Sequence, residues 1–188
     1  MIYAFSPRPA IKGQAVADFI AEFTYRPVEF PIWDMYVDGA VNKKGSGVGI
    51  ALSSPEGDKV KFALKFDFNA SNNEAEYEAM IHGLQIAKDL EIKKLKVYSD
   101  SQLIVNQMKC EFQAKGEKMS LYAEKTRNLA SKFELCEITQ VPRAMNEEAD
   151  ALAKLATQGS DSESIPVIKI GQPSIEQAPY VLQVDQRK

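Results

Sequence analysis

The amino-acid sequence predicts an α/β protein in which helices pack on the faces of a mixed sheet. Short apolar segments bounded by turn residues indicate strands, and longer segments with apolar residues at helical spacing indicate helices. Three predicted strands come first, and two more alternate with helices after them. This order is typical of a sheet with parallel and antiparallel neighbours that is covered by helices.

The first third of the chain supplies one helix and three strands. Ile11 to Phe23 has apolar residues at helical spacing and predicts an amphipathic helix that ends before Pro27. The turn residues of Pro55–Asp58 join the second and third strands into a hairpin. The predicted strands are Asp34–Ala40, Gly45–Leu52 and Lys59–Phe68.

The remainder of the domain alternates helices with strands. The predicted helices are Ser71–Leu90, Ser101–Met108, Glu117–Phe133 and Met145–Ala156, and the predicted strands are Lys94–Ser99 and Leu135–Val141. Past Gly159 the chain is rich in Ser, Pro, Gln and acidic residues, and its short apolar runs are separated by prolines. We expect this tail to be a linker or a loosely docked extension.

Composition excludes several classes of protein. Of the 188 residues, 45% are hydrophobic and 26% are charged, which is typical of a globular domain. No apolar run is long enough to span a bilayer and no signal peptide is recognisable, so we expect no membrane partner and an intracellular location. Cys110 and Cys136 form no Cys-x-x-Cys pair. The net charge of −3 disfavours nucleic acid as a partner only weakly, because a carboxylate-rich metal site would also lower it.

Two acids are predicted to follow strands. Asp38 comes at the end of a predicted strand and before Gly39, so it is either a metal ligand or the first residue of an Asp-Gly turn. Asp100 follows the strand Lys94–Ser99, where ligand sites gather in helix-covered sheets, but it is equally suited to cap the next helix. The residues considered singly leave both alternatives open.

The helix from Ser71 carries the more informative acid. Ser71 and Glu74 have the spacing of a capping box, which explains Glu74 structurally. At 100° per residue, Glu76 falls within the apolar stripe, whereas Glu74 and Glu78 fall on the opposite side, which we expect to face solvent. An acid on the core side indicates a functional or paired carboxylate, although a satisfied buried Glu remains an alternative.

The last predicted helix contains Asp150, whose direction is ambiguous. Periodicity places Glu148 nearer the apolar stripe than Asp150. On this ground alone Asp150 is a first-turn acid that favours the helix dipole.

Taken together, four blocks of sequence resemble the type 1 ribonuclease H family, in the same order and at similar intervals. The resemblance covers roughly residues 33–157 and implies a five-stranded mixed sheet with helices on both faces. The blocks are Tyr36–Ala40, Ser71–Glu76, Tyr98–Gln102 and Asn146–Ala153.

The resemblance also implies a reaction and the residues that perform it. Members of the family cut the RNA strand of RNA–DNA hybrids with two Mg²⁺ ions, which Mn²⁺ can replace. Their four catalytic and metal-binding acids correspond to Asp38, Glu76, Asp100 and Asp150. Asp38 and Asp100 would contact both ions, Glu76 one ion near the RNA 2′-hydroxyl, and Asp150 the other ion.

Substrate-binding positions are implied by the same resemblance. The corresponding residues of relatives grip the minor groove of the hybrid, and here they are Gly39, Asn72, Asn73 and Gln102, with Ser71 on a DNA phosphate. Bacterial members carry a histidine in the loop before the last acid, whereas this chain has Arg143 there. We expect Arg143 to act as a fixed charge on the phosphate, or else to be a solvated surface residue. His82, the only histidine, is expected to be a surface or packing residue.

Two further blocks resemble plant gypsy-type LTR retrotransposon polyproteins, namely Ile11–Phe19 and Gln140–Asn146. The resemblance implies a reverse transcriptase domain as a partner in the same polyprotein, and a location in a cytoplasmic retroelement particle or the nucleus. We therefore divide the chain into a connector with an amphipathic helix (1–32), a ribonuclease H domain (33–158) and a flexible extension or linker (159–188).

Two other functions fit the same fold. A nucleic-acid-binding or interaction module without activity would be favoured if the acids were incomplete, but all four are present. An exonuclease or an integrase-like core is the other alternative, and the block Asn146–Ala153 argues against the integrase-like core.

Overall fold

The computed structural model describes residues 13–18, 28–110, 114–159 and 164–177. The chain divides into two compact units, Met1–Phe30 and Pro31–Lys188. In the first unit residues 13–18 are helical and exposed, and the other residues of the predicted helix Ile11–Phe23 lie outside the described ranges. Within those ranges, no helix is both long and apolar enough to cross a membrane.

The second unit is built on a mixed sheet of six strands in the order β5-β4-β1-β2-β3-β6. Strands β1, β2 and β3 are antiparallel neighbours, whereas the β1–β4, β4–β5 and β3–β6 pairs are parallel. The strands are β1 Ile32–Asn42, β2 Gly45–Ser53, β3 Lys59–Phe66, β4 Lys94–Ser99, β5 Leu135–Gln140 and β6 Val167–Ile170. The predicted mixed sheet is confirmed, and β6 adds a sixth strand from residues that the sequence placed in the extension.

Within the described ranges four α-helices cover this sheet, and a short 3₁₀ helix, Arg143–Met145, precedes the last of them. Helix α1 packs over β1, where a Cβ on its Gly83 would lie 2.9 Å from the Met35 sulfur. Helix α4 packs on the other face, against Gly47 and Gly49 of β2. The helices are α1 Asn72–Asp89, α2 Gln102–Met108, α3 Glu117–Ala130 and α4 Glu147–Gln158. Helices on both faces of the sheet are therefore confirmed.

Close backbone approach fixes α1 and α4 against the central strands. A Cβ on Gly39 of β1 would lie 2.6 Å from the carbonyl oxygen of Ala75 and 2.7 Å from the backbone nitrogen of Glu76. A Cβ on Gly49 of β2 would overlap the carbonyl oxygen of Ala149 and lie 2.6 Å from the backbone nitrogen of Ala153. Only glycine allows the two helices to touch the sheet at these points.

One prediction about α1 is wrong. Glu78 does not face solvent: its side chain is fully buried and accepts hydrogen bonds from the Tyr122 hydroxyl (2.8 Å) and the Ser174 backbone N–H (2.9 Å). Helix α3 supplies Tyr122, and the turn after β6 supplies Ser174. Because these elements cover the side of α1 that periodicity assigned to solvent, the helix is buried on more than one face.

The last described segment, residues 164–177, packs against the sheet and against α1. Strand β6 continues the sheet beyond β3, and the Asp67 backbone N–H donates to the Ile170 carbonyl at 2.9 Å. Ser174 is 2% exposed, and its carbonyl accepts a hydrogen bond from the Lys125 ammonium. The apolar run that prolines isolate in the sequence is thus an edge strand, which tolerates flanking prolines.

Candidate active site

Three of the four predicted acids converge above the centre of the sheet. Asp38, Glu76 and Asp100 each offer a carboxylate oxygen, and these three atoms all lie within 4.8 Å of one another. Asp38 comes from β1, Asp100 follows β4, and Glu76 lies near the start of α1. The parallel β1–β4 pair brings the two aspartates side by side, and the approach of α1 at Gly39 adds the glutamate.

The structure excludes the local structural alternative for both aspartates. The sequence predicts that Asp38 ends its strand, and this prediction is wrong. Strand β1 continues to Asn42, and Asp38 pairs with Gly49 in mid-strand. Asp38 is 4% exposed, and the strand pairing that continues beyond it excludes a turn at this position. Asp100 does not cap α2, because the N-cap is Ser101, whose hydroxyl accepts from the Ile104 N–H at 3.4 Å. Neither carboxylate is therefore explained by a local structural role.

Burial and mutual repulsion perturb the cluster. Desolvation, followed by the charges of Asp100 and Asp150, raises the pKa of Asp38 to about 7. Desolvation and the charges of Asp38 and Asp100 raise the pKa of Glu76 to about 8, against the opposing effect of the Gly39 N–H hydrogen bond. Such crowding costs energy unless protons or cations neutralise it, and it is typical of functional sites.

The donor set fits a hard divalent cation. Mg²⁺ and Mn²⁺ prefer carboxylate oxygens, and three such oxygens converge here. Glu76 also has a buried oxygen, Oε2, with no hydrogen-bond partner among the described residues. A buried carboxylate oxygen without a donor is costly, and a bound cation would satisfy it.

Asp150, the fourth predicted acid, is not part of this three-acid cluster. Its Oδ1 accepts from the Arg143 guanidinium at 3.3 Å, and its Oδ2 pairs with the Lys154 ammonium one helical turn later. Burial raises the pKa of Asp150, but the hydrogen bonds and charges of Lys154 and Arg143 outweigh burial and hold it below its ordinary value. Asp150 is near enough to raise the pKa of Asp38. Glu148, which periodicity placed nearer the core, instead pairs with Lys61 at 2.7 Å.

Asn146 positions the beginning of α4, a role that the sequence analysis did not assign. Its side chain is 1% exposed, and its Nδ2 donates to the Val37 carbonyl at 3.0 Å. This hydrogen bond ties the loop before α4 to the strand residue next to Asp38. The available signal was an Asn just before a helix, which indicates a cap; here its side chain makes no capping hydrogen bond.

The predicted hybrid-binding residues lie on the elements that carry or follow the acids of the cluster. Ser71, Asn72 and Asn73 are exposed at the start of α1, and Gln102 is exposed at the start of α2. The predicted capping box is present, with Ser71 Oγ accepting from Glu74 N–H at 3.2 Å. Gly39 is partly buried beneath α1, so packing alone accounts for a glycine there.

His82, which the sequence predicts to be a surface or packing residue, is mostly buried. Its side chain is 14% exposed, and its Nε2 lies 3.2 Å from Glu78 Oε2. Arg143, in contrast, is exposed in the 3₁₀ helix before α4.

Comparison with known proteins covers the part of the chain that carries the acids. The sequence profile of the reverse transcriptase-like family matches residues 36–156. Ribonuclease HI of Halobacterium salinarum is 36% identical over 155 residues, which are 81% of this chain and 77% of that protein.

Solved ribonuclease H structures have the same fold as this chain. The crystal structure of ribonuclease H1 from Halobacterium salinarum NRC-1 superposes with a TM-score of 0.65 at 32% identity and covers 69% of this chain and 99% of its own. LC11-RNase H1, solved in complex with an RNA/DNA hybrid, superposes with a TM-score of 0.62 at 24% identity over 69% and 99% of the two chains. The likeness to LC11-RNase H1 shows the fold alone.

Proposed function

This chain belongs to the ribonuclease H-like family, and we propose that it uses two divalent metal ions to hydrolyse the RNA strand of RNA–DNA hybrids during retroelement reverse transcription. The enzyme class follows from the 36% identity to a ribonuclease HI over most of the chain. The observation that carries the proposal is the convergence of Asp38, Glu76 and Asp100 within the matched region.

The four acids account for the metal requirement. Asp38, Glu76 and Asp100 would hold one ion, and Asp150 with the neighbouring aspartates would hold a second. Two bound Mg²⁺ or Mn²⁺ ions supply an activated water and neutralise charge on the phosphate and the leaving oxygen. The four carboxylates would fix the positions of the two ions. They are themselves held in place by β1, the end of β4 and the packed helices α1 and α4.

The exposed residues around the acids would orient the substrate. Asn72, Asn73 and Gln102 expose amide side chains at the starts of α1 and α2, and amides can donate to or accept from 2′-hydroxyls in a minor groove. Gly39 would contribute to the hybrid groove only through its backbone, because α1 fills the space beside it, and Ser71 would donate to a DNA phosphate. Ser71 can do so only by leaving its capping hydrogen bond to Glu74.

Arg143 would place a permanent positive charge on the scissile phosphate. It is exposed, and the charges of Asp150, Asp100 and Asp38 raise its pKa further, so it stays protonated throughout the working range. Arg143 therefore cannot exchange protons as a histidine would. It supports phosphate binding or product release and not acid–base catalysis.

The retroelement context is supported by sequence alone. Its basis is the resemblance of Ile11–Phe19 and Gln140–Asn146 to gypsy-type polyproteins. On this proposal a reverse transcriptase domain of the same polyprotein is the partner, and the site of action is a cytoplasmic particle or the nucleus. The proposed catalytic domain begins near residue 33, after a connector.

An end-label assay tests the function directly. The full chain is incubated with an RNA–DNA hybrid, an RNA duplex and a DNA duplex, each with Mg²⁺, Mn²⁺ or chelator. We expect internal cuts in hybrid RNA, with 3′-hydroxyl products, only when metal is present. Cutting that persists in chelator would contradict the metal mechanism, and equal cutting of DNA duplex would contradict the substrate. Binding of hybrid without cutting under any metal would favour an inactive binding module.

A further inference from the structure

The Asp150 carboxylate forms ion pairs with Arg143 and Lys154. We propose that Lys154 is a positioning residue that competes with a divalent ion for Asp150, so that the second ion binds only in exchange for the Lys154 ammonium. This inference rests on the proposed two-ion function, because it takes Asp150 as a ligand of the second ion.

The ion pairs occupy both oxygens of one carboxylate. Oδ1 of Asp150 accepts from Arg143, and Oδ2 accepts from Lys154. The Asp150 side chain is 17% exposed, whereas the side chains of Arg143 and Lys154 are 74% and 53% exposed, so water reaches both pairs from the side of the cations. An ion that coordinates Oδ2 would lie beside the Lys154 ammonium, and repulsion between the two positive charges opposes its binding until the ammonium leaves.

The two cations differ in what else they face. Arg143 lies close enough to Asp100 and Asp38 for both to raise its pKa, so it spans the fourth acid and the three-acid cluster. Lys154 makes its side-chain hydrogen bond to Asp150 from the same helix, at position i+4. Arg143 can remain near the phosphate after the ions bind, whereas Lys154 holds the oxygen that a second ion would need.

The exchange is sterically simple. The Lys154 side chain is 53% exposed, and the only side-chain hydrogen bond that it forms within the described ranges is the one to Asp150. A change of rotamer can therefore move the ammonium into water without disturbing α4. We infer that ions bind in order, first at the three-acid cluster and then, more weakly, at Asp150.

Metal binding measured without substrate tests this order. MnCl₂ is titrated into the full chain, free of hybrid, and bound and free Mn²⁺ are counted by electron paramagnetic resonance. The variants are Lys154→Gln, which removes the charge, Lys154→Arg, which keeps it, and Lys88→Gln, a control on an exposed lysine in the last turn of α1.

We expect the second Mn²⁺ to bind about tenfold more tightly to Lys154→Gln than to the unaltered chain, because a unit charge beside the site has been removed. Lys154→Arg and Lys88→Gln should match the unaltered chain, and the affinity of the first ion should change much less. In the hybrid assay, the Mg²⁺ concentration giving half-maximal rate should fall for Lys154→Gln alone.

The possible failures are distinguishable. An unchanged second affinity in Lys154→Gln, or no second ion in either protein, would overturn the role of Lys154 and leave the hydrolase intact. Binding that is insensitive to Asp38→Asn, or no binding at all, would overturn the proposed metal site together with this inference.

Discussion

Gly49 lies directly opposite Asp38 in the antiparallel β1–β2 pair. A side chain on Gly49 would overlap the backbone of Ala149, so α4 contacts the sheet next to Asp38. Asp150 is the next residue of that helix. The glycine therefore sets the distance between Asp38 and the fourth acid.

We expect Gly49→Ala to destabilise the fold by about 1–3 kcal/mol, because α4 must move away from β2 to admit the methyl group. Activity should fall further than stability explains, since Asp150 moves with the helix. Gly171→Ala is the matched control, because no atom lies within 4 Å of a Cβ built there. Thermal unfolding and the hybrid assay measure both effects. Equal behaviour of the two variants would contradict this packing argument.

Substitutions of Glu76, Asp100 and Glu74 should distinguish catalysis from helix capping. Glu76→Gln and Asp100→Asn should abolish turnover and leave the fold intact, because both carboxylates belong to the three-acid cluster. Glu74→Gln should retain activity and cost about 0.5–2 kcal/mol, since Glu74 accepts from the Ser71 N–H at 2.8 Å and pairs with Lys118. An inactive Glu74→Gln beside an active Glu76→Gln would show that the wrong face of the helix was chosen.

The crowded acids should make the metal-free protein less stable as pH rises. Asp38 and Glu76 have folded-state pKa values of about 7 and about 8, well above those of unfolded carboxyls. The folded state therefore holds extra protons near pH 5, and that stabilisation is lost as pH rises through 7 and 8. We expect the free energy of unfolding to fall by about 2–4 kcal/mol between pH 5.5 and pH 8.5.

Chemical denaturation in chelator measures this slope. Glu76→Gln and Asp38→Asn should each flatten it, and saturating Mn²⁺ should reverse it because metal binding requires the deprotonated ligands. A metal-free protein whose stability rises over this window would refute the raised pKa values.

The buried carboxylate of Glu78 gives a prediction about the segment after β6. Ser174→Pro removes the N–H that donates to Glu78, and should cost about 1–3 kcal/mol because a buried acceptor loses its partner. Proline suits this position sterically, as the second residue of a turn closed by the Glu176 N–H to Pro173 carbonyl bond. Ser174→Ala keeps the N–H and should change stability by less than about 0.5 kcal/mol. Equal melting temperatures for the two variants would exclude this anchor.

Arg143 is expected to act through its charge. Arg143→Lys should keep a substantial share of activity, and Arg143→Ala should lose more, with the difference shrinking at high salt. Initial rates on hybrid at several salt concentrations measure this. A rate for Arg143→Ala that equals the unaltered chain at every salt concentration would leave Arg143 as a surface residue.

The sequence predicts most helices, strands and turns correctly, because caps, turns and apolar periodicity depend on residues that are close in sequence. The capping box at Ser71, the turn at Pro55–Asp58 and the strand Lys94–Ser99 depend on neighbours in sequence, and all three are present. Periodicity also identifies Glu76 as an acid of α1 on the side away from open solvent, although it does not identify Glu78, which is fully buried. These features need no knowledge of distant residues.

Contacts between distant residues account for what was missed. Glu78 was assigned to solvent because nothing local indicates that Tyr122 and Ser174 cover that side of the helix. The hydrogen bond from Asn146 to Val37 spans 109 positions, so a helix-start asparagine gave no hint of it. The sequence did not single out Lys154, although its i+4 spacing from Asp150 is local. Such ion pairs are common on helices, and this one becomes informative only if Asp150 binds a metal ion.

The pairing of β6 with β3 also has a consequence for how the chain is made. A ribosome must synthesise residues 167–170 before the sheet edge can close, and the hydrogen bond from Ser174 to Glu78 spans 96 positions. Until that segment emerges, the nascent domain holds a carboxylate on α1 without one of its donors, while all four acids are already translated. Folding of the domain would thus be completed only after translation has passed well beyond Asp150, the last of the predicted acids.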